Sequence, residues 1–188
     1  MTELLTDCNG HGELSLLLPL LARASRNEGW LAWIEPPYIP GIPALAKAGL
    51  HTSRLLVVRA GTTGERAWAL RQALHSEACT TVIGWLDRVD TALLRRLQLA
   101  VRETTIPLLL FRSARSAHTA SPAALRLRLS AGSPGVLRLE ILKRRGRPAS
   151  RSLHLSLEDS LSSPCARTPR AQMAGACTGV PPALALIA

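Results

Sequence analysis

Leu4-Leu5-Thr6-Asp7-Cys8-Asn9-Gly10-His11-Gly12-Glu13-Leu14 is the stretch on which the fold turns. An apolar pair enters a glycine-containing turn, and the apolar run of residues 14–21 leaves it. Strand, glycine turn and helix together form the setting of a phosphate-binding loop. A working loop opens its helix with Gly-Lys-Ser/Thr. The Lys neutralises the β- and γ-phosphates and the hydroxyl holds Mg²⁺. Here Gly12-Glu13-Leu14 stands in that place. A carboxylate replaces the ammonium and a methyl-bearing side chain replaces the hydroxyl. The stretch therefore predicts a degenerate nucleotide loop at Gly10, Gly12, Glu13 and Leu14, with no cofactor, no metal and no catalytic residue. It points to a protein that works by contact.

Outward from the loop, apolar strands alternate with helical patterns. Residues 13–28 read as a helix kinked at Pro19, because an interior Pro removes a hydrogen bond. Trp30-Leu31-Ala32-Trp33-Ile34 reads as a core strand, with Trp30 and Trp33 as packing residues. Pro36-Pro37-Tyr38-Ile39-Pro40-Gly41 is a stiff loop. A short helix over 43–48 ends at Gly49, a residue suited to a helix C-terminus. Leu55-Leu56-Val57-Val58, residues 81–86 and Leu108-Leu109-Leu110-Phe111 read as strands, and residues 63–77 and 91–103 as amphipathic helices. Continuous apolar strands between helices imply a mostly parallel, twisted sheet flanked by helices, an α/β fold.

The pattern then changes. Leu125-Arg126-Leu127-Arg128-Leu129 and Val136-Leu137-Arg138-Leu139-Glu140-Ile141 alternate strictly around Gly132-Ser133-Pro134-Gly135. That predicts a C-terminal antiparallel hairpin with one wet face. Residues 152–157 can add a third strand. From about Ser160 the chain is rich in Ser, Pro, Ala and Gly without a period. The expectation is one domain over 1–158 and a disordered tail over 159–188.

The 188 residues suffice for one core. Lys and Arg number 23 against 13 acids, a net charge of +10 that favours acidic or polyanionic partners. Cys8, Cys79, Cys165 and Cys177 lack zinc spacing, and the five histidines are dispersed. No leader is recognisable, so reduced thiols and a cytoplasmic location are expected. No apolar run is long enough to span a membrane.

Three surface features carry binding chemistry. Lys143, Arg144, Arg145, Arg147 and Arg151 form a basic run suited to DNA phosphates or an acidic partner. Any DNA contact there would be sequence-neutral, since no base-reading element is visible. The competing reading is a solvated turn. Pro37, Tyr38 and Ile39 hold an aromatic on a rigid loop, which suits a partner anchor. A plain strand-to-helix connection is the alternative. Arg88, Arg95, Arg96 and Arg102 read as the charged outer face of the helix over 91–103.

Two further patterns carry a family resemblance. Lys47-Ala48-Gly49-Leu50, Leu55-Leu56-Val57-Val58, Thr63-Gly64-Glu65 with Ala73-Leu74, and Val82-Ile83 follow the order of elements in the ATPase core of RecA. Leu17-Leu18-Pro19-Leu20-Leu21, Trp30-Leu31-Ala32-Trp33-Ile34 and Val82-Ile83-Gly84-Trp85-Leu86 resemble the SulA/ImuA family of bacterial SOS-response proteins. Residues 121–129 and Leu142-Lys143-Arg144-Arg145-Gly146-Arg147-Pro148 are similar to the ImuA branch. The resemblance implies a RecA-like fold whose Walker-B acid falls near Leu86, with Asp87 directly after it, and whose catalytic Glu falls near Pro37, with Glu35 nearby, so both are missing or displaced. It implies an accessory protein of translesion DNA synthesis, with ImuB, an error-prone DNA polymerase and RecA as partners. The ImuA branch carries a longer segment before the loop, so the resemblance implies either that an edge element is absent here or that the start site is internal. The alternative is a SulA-type cell-division inhibitor that binds FtsZ.

Overall fold

A computed structural model describes residues 1–10, 12–87, 89–146 and 152–157. Eight strands form one sheet: β1 Thr2–Thr6, β2 Trp30–Ile34, β3 Leu55–Val58, β4 Cys79–Trp85, β5 Leu108–Ser113, β6 Leu125–Ala131, β7 Val136–Lys143 and β8 Ser152–Ser156. Four helices accompany them: α1 Leu18–Ala24, α2 Ile42–Lys47, α3 Thr63–His75 and α4 Thr91–Glu103. The order across the sheet is β3-β2-β4-β5-β1-β6-β7-β8. Neighbouring strands from β3 to β6 run parallel, and β7 and β8 add antiparallel. The sheet is therefore mostly parallel, as the apolar strands predict.

Two cores lie on its two faces, because side chains alternate along a strand. Ala32, Ile34, Val82, Leu108 and Leu110 pack under α3 and α4, with Leu70, Leu74, Leu94 and Leu97. Leu31, Trp33, Ile83, Leu109 and Phe111 face the other way, toward Leu18 and Leu21 of α1 and Leu45 of α2. At Gly84 helix α3 comes close to β4. A Cβ there would lie 2.6 Å from the Leu70 side chain.

The sequence misplaces the first helix. Residues 13–17 form turns, with Leu17 N–H donating to the Leu14 carbonyl at 2.8 Å. The helix begins at Leu18, and Pro19 sits in its first turn. Pro suits that position, since its missing N–H would have no partner there. Pro19 thus starts the helix and does not kink it. Trp30 is also misread: it is 42% exposed at the strand's first residue, while Trp33 is buried.

The hairpin is part of the main sheet. β6 pairs parallel with β1 and antiparallel with β7, so it is an interior strand. That overturns the wet face expected at Arg126, while Arg128 stays partly exposed. Arg126 is 6% exposed and its Nε lies 2.7 Å from Oε2 of Glu3, a residue with no exposure on β1. Arg112 of β5 reaches the other oxygen at 3.3 Å, and Ser121 donates to it at 2.6 Å. Arg126 also donates to the carbonyls of Ala117, Thr119 and Ser116. One buried carboxylate thus ties three adjacent strands and the segment that precedes β6. The proposed tail, 159–188, lies outside the described residues.

Candidate functional site

The strands β1, β2, β4 and β5 end at one edge of the sheet, the edge where open parallel sheets bind their ligands. Two of the cavities that open there share Pro36, Pro37 and Trp85 as walls. One, of roughly 340 Å³, is polar, with Asp7, Glu35, Arg59, Arg66, Asp87 and Arg112 around it. The other, of roughly 260 Å³, is mainly apolar and includes Gly12, Glu13, Trp33, Tyr38, Ile39 and Leu45. An aromatic row underlies both. Trp85 stacks on Phe111 at 5.1 Å between centroids and tilts against Trp33 at 5.8 Å.

The degenerate loop closes on itself. Gly10 and Gly12 both have φ near +90°, a region that favours glycine. That geometry turns the Gly10 N–H back to Oε1 of Glu13 at 2.7 Å. Glu13 is only 5% exposed. Its carboxylate therefore takes a backbone donor of the kind a phosphate would use. Leu157, just past β8, packs directly over the Gly12 position and leaves no room for a Cβ. Leu14 packs at the edge of the core beneath α1 and α2.

Glu35 is also committed. Its backbone is left-handed, with φ 54°. Its carboxylate accepts from Ala60 N–H at 2.6 Å and faces Arg59 at 3.4 Å and Arg66 at 4.0 Å. Arg59 donates in turn to the Pro36 carbonyl. These bonds clip the exit of β2 to the exit of β3 and set the direction of the proline loop. Asp87 is exposed at the polar cavity.

The proline loop projects as the sequence suggests. Tyr38 is 64% exposed and Ile39 86%, both beside the apolar cavity, and Pro37 is exposed too. Each Pro fixes φ, so the display costs little entropy on binding. The Nε1 atoms of Trp33 and Trp85 are buried without a hydrogen-bond partner. Both indoles line this cavity. An apolar wall with unused donors suits a protein segment that brings a carbonyl or carboxylate.

The predicted basic run lies elsewhere. Lys143 pairs in register with Arg126, next to Leu125, which pairs with Thr2 at the start of β1. Lys143, Arg144 and Arg145 are exposed at the amino-terminal edge of the parallel strands, opposite the cleft. Lys143 donates to the Ser121 carbonyl at 2.7 Å. Burial, reinforced by the charge of Arg145, holds the Met1 amine below its ordinary pKa. Arg147 and Arg151 lie outside the described residues, as do Arg88 and His11. Arg95, Arg96 and Arg102 are exposed on α4. Cys8 is exposed and Cys79 buried. Among the described residues no helix is long and apolar enough to cross a membrane, and no three His, Cys, Asp or Glu side chains converge as a metal set would. The sequence reading missed Glu3, Arg112 and Arg126. The signal was an acid inside an apolar strand, which demands a partner.

Residues 5–116 match the family described as MT3502 N-terminal domain, the span that contains the cleft. This chain belongs to that family. It is also SulA-like. The cell division inhibitor SulA of Edwardsiella piscicida is 33% identical over 90 residues, 47% of this chain and 54% of that protein. The SulA of Yersinia pestis (strain Pestoides F) is 30% identical over 87 residues, 46% of this chain and 52% of that one. The chain thus spans about half the length of the curated relatives it matches. The crystal structure of SulA from Pseudomonas aeruginosa is 27% identical, with a TM-score of 0.50, covering 60% of this chain and 97% of that one. These relatives correct the translesion reading. They are cell division inhibitors, and none supports ImuB, an error-prone polymerase or RecA as partner, or the ImuA branch.

Proposed function

We propose that this chain is a SulA-type inhibitor of cell division, acting in the cytoplasm by binding FtsZ and blocking its polymerisation. The likeness in sequence and fold to SulA proteins supports the class. The stiff loop that presents Tyr38 and Ile39 beside an apolar cavity is the observation that supports a contact there. In this reading Pro37, Tyr38 and Ile39 anchor the partner.

The reading is non-catalytic. Phosphoryl transfer depends on positioned charge. Glu13 occupies the loop's own donor, Leu14 supplies no metal oxygen, and Asp87 stands without the loop Lys. The RecA-like ancestry of the framework belongs to the same proposal. A glycine loop after β1, at the carboxyl edge of a parallel sheet, supports it. The division into a domain over 1–158 and a tail over 159–188 is part of the proposal too. The basic run at Lys143, Arg144, Arg145, Arg147 and Arg151 is proposed as a separate polyanion or partner surface that inhibition does not need.

The test is overexpression in a rod-shaped bacterium, together with sedimentation of purified FtsZ polymer. The wild-type chain should produce filamentous cells and lower the pelleted FtsZ. Tyr38→Ala with Ile39→Ala should weaken both effects about tenfold or more at unchanged melting temperature. Gln at 143, 144 and 145 should leave them intact. Removing residues 143–157 would delete β8, so charge substitution is the cleaner probe. FtsZ polymerisation that the wild-type chain leaves untouched would sink the proposal.

A further inference from the structure

A second groove lies on the α3–α4 face and shares no lining with the two cavities at Trp85. Gly64, Ala67, Trp68 and Arg71 come from α3, and Leu93 and Arg96 from α4. Trp68 is 63% exposed. Residues 64, 67, 68 and 71 recur at the spacing that puts them on one helix face. Position 64, one turn before Trp68, is a glycine. A Cβ there would find only Thr62 Oγ1 within 4 Å, at 3.9 Å.

The charges that line the groove lean positive, with Arg71 and Arg96 against Asp90. Arg71 and Arg96 are exposed, and neither forms an ion pair with another described residue. Two acids stand nearby, and both are occupied with helix ends. Asp90 accepts from Leu93 N–H at 2.7 Å, and Glu65 from Thr62 N–H at 2.8 Å. The groove thus offers an apolar strip, an open indole and two guanidinium groups without counter-ions.

We propose that this groove docks an acidic segment of a partner protein, with one aliphatic or aromatic side chain against Trp68 and carboxylates on Arg71 and Arg96. Trp and Arg are the residues that dominate binding at protein interfaces. Arg prefers carboxylates through paired N–H donors. A single-stranded nucleic acid fits less well. It needs successive stacking platforms, and Trp68 is the one aromatic among the described residues that line the groove. The proposal does not depend on the FtsZ reading.

Random dodecapeptides displayed on phage would be selected on the full chain and counter-selected on Trp68→Ala. The enriched peptides should carry Asp or Glu next to Leu, Phe or Trp. Resynthesised with a fluorescein label, they should bind with an anisotropy change that Trp68→Ala weakens about tenfold or more, as does Arg71→Gln with Arg96→Gln. Gly64→Leu is the control for folding. It should raise the melting temperature, since Leu favours helix over Gly, and yet weaken binding by filling the groove that Gly64 lines. Tyr38→Ala with Ile39→Ala should leave peptide binding unchanged, which separates this groove from the cleft. Enriched peptides without acids, equal binding by the Trp68 variant, or Trp68-dependent binding of oligothymidylate in place of peptide would overturn the proposal.

Discussion

Strands β2 to β5 are continuous apolar runs with helices on both faces, whereas β7 alternates Leu137 and Leu139, buried, with Arg138 and Glu140, exposed. β8 is mostly exposed. β1 and β6 form the seam between these two regions, and each carries a charged residue in the buried interior, Glu3 and Arg126. The family match covers residues 5–116 and stops before β6. The parallel region is therefore the shared framework and holds the cleft, and the antiparallel wing is attached to it through a buried ion cluster. The difference teaches that alternation along a strand reports a wet face only when the strand lies outside the covered part of the sheet.

Removing that cluster's carboxylate should give the largest effect. Glu3→Ala leaves Arg112 and Arg126 buried without their acid. Breaking a buried pair from one side costs about 3–5 kcal/mol. Urea denaturation should show a loss of that size, and hydrogen exchange should show β6 to β8 losing protection first. Arg126→Leu alone should also destabilise strongly. Combined with Glu3→Leu its cost should be far from additive, because the two groups share one network. A loss under about 1 kcal/mol for Glu3→Ala would mean that the seam is held by strand pairing alone.

The parallel framework was legible in the sequence because burial on both faces writes itself as an apolar run, as in Leu108-Leu109-Leu110-Phe111. The glycine turn after β1 and the exposed Tyr38 were legible for a similar reason: their chemistry is local. What stayed hidden is long-range. Leu125-Arg126-Leu127-Arg128-Leu129 gives no sign that its strand pairs with residue 2 onward, more than a hundred positions away. Nor does composition reveal that Glu13 folds back onto Gly10, or that Lys143 and the loop lie at opposite edges. The resemblance to ImuA rested on residues 121–148, beyond the family match, and that is where the functional reading failed.

Inside the parallel region, Gly84→Ala tests how tightly α3 is seated. A Cβ at 2.6 Å from Leu70, a residue with no exposure, must displace it. Overpacking of this kind costs about 1–3 kcal/mol. The same denaturation assay reads it, and the wing should show no separate response.

A local element comes next. The Thr62 hydroxyl accepts from Glu65 N–H at 3.2 Å and the Glu65 carboxylate from Thr62 N–H at 2.8 Å, a capping box at the start of α3. Thr62→Ala should cost about 0.5–2 kcal/mol. Hydrogen bonds from the Thr62 backbone, then from its side chain, hold the Glu65 pKa below its ordinary 4.5. The unfolded chain therefore binds more protons just below pH 4.5. The stabilisation is complete above that value and is lost as pH falls through the lowered folded one. Melting curves between these limits should flatten in Glu65→Gln, which has no proton to bind.

The smallest effect should come from the same seam as the largest. Arg128 and Asp7 also join β6 to the segment after β1, at 3.5 Å, but their side chains are 39% and 56% exposed. Water screens the pair, and holding two long side chains costs entropy, so such contacts contribute about 0.2–1 kcal/mol at most. Arg128→Ala should fall in that range and shrink further in salt. The ion clusters at Arg126 and Arg128 are two residues apart on one strand, and they differ in burial and in the carbonyl bonds that only Arg126 makes. If Arg128→Ala destabilised as much as Arg126→Leu, charge count and not desolvation would set the strength of the seam.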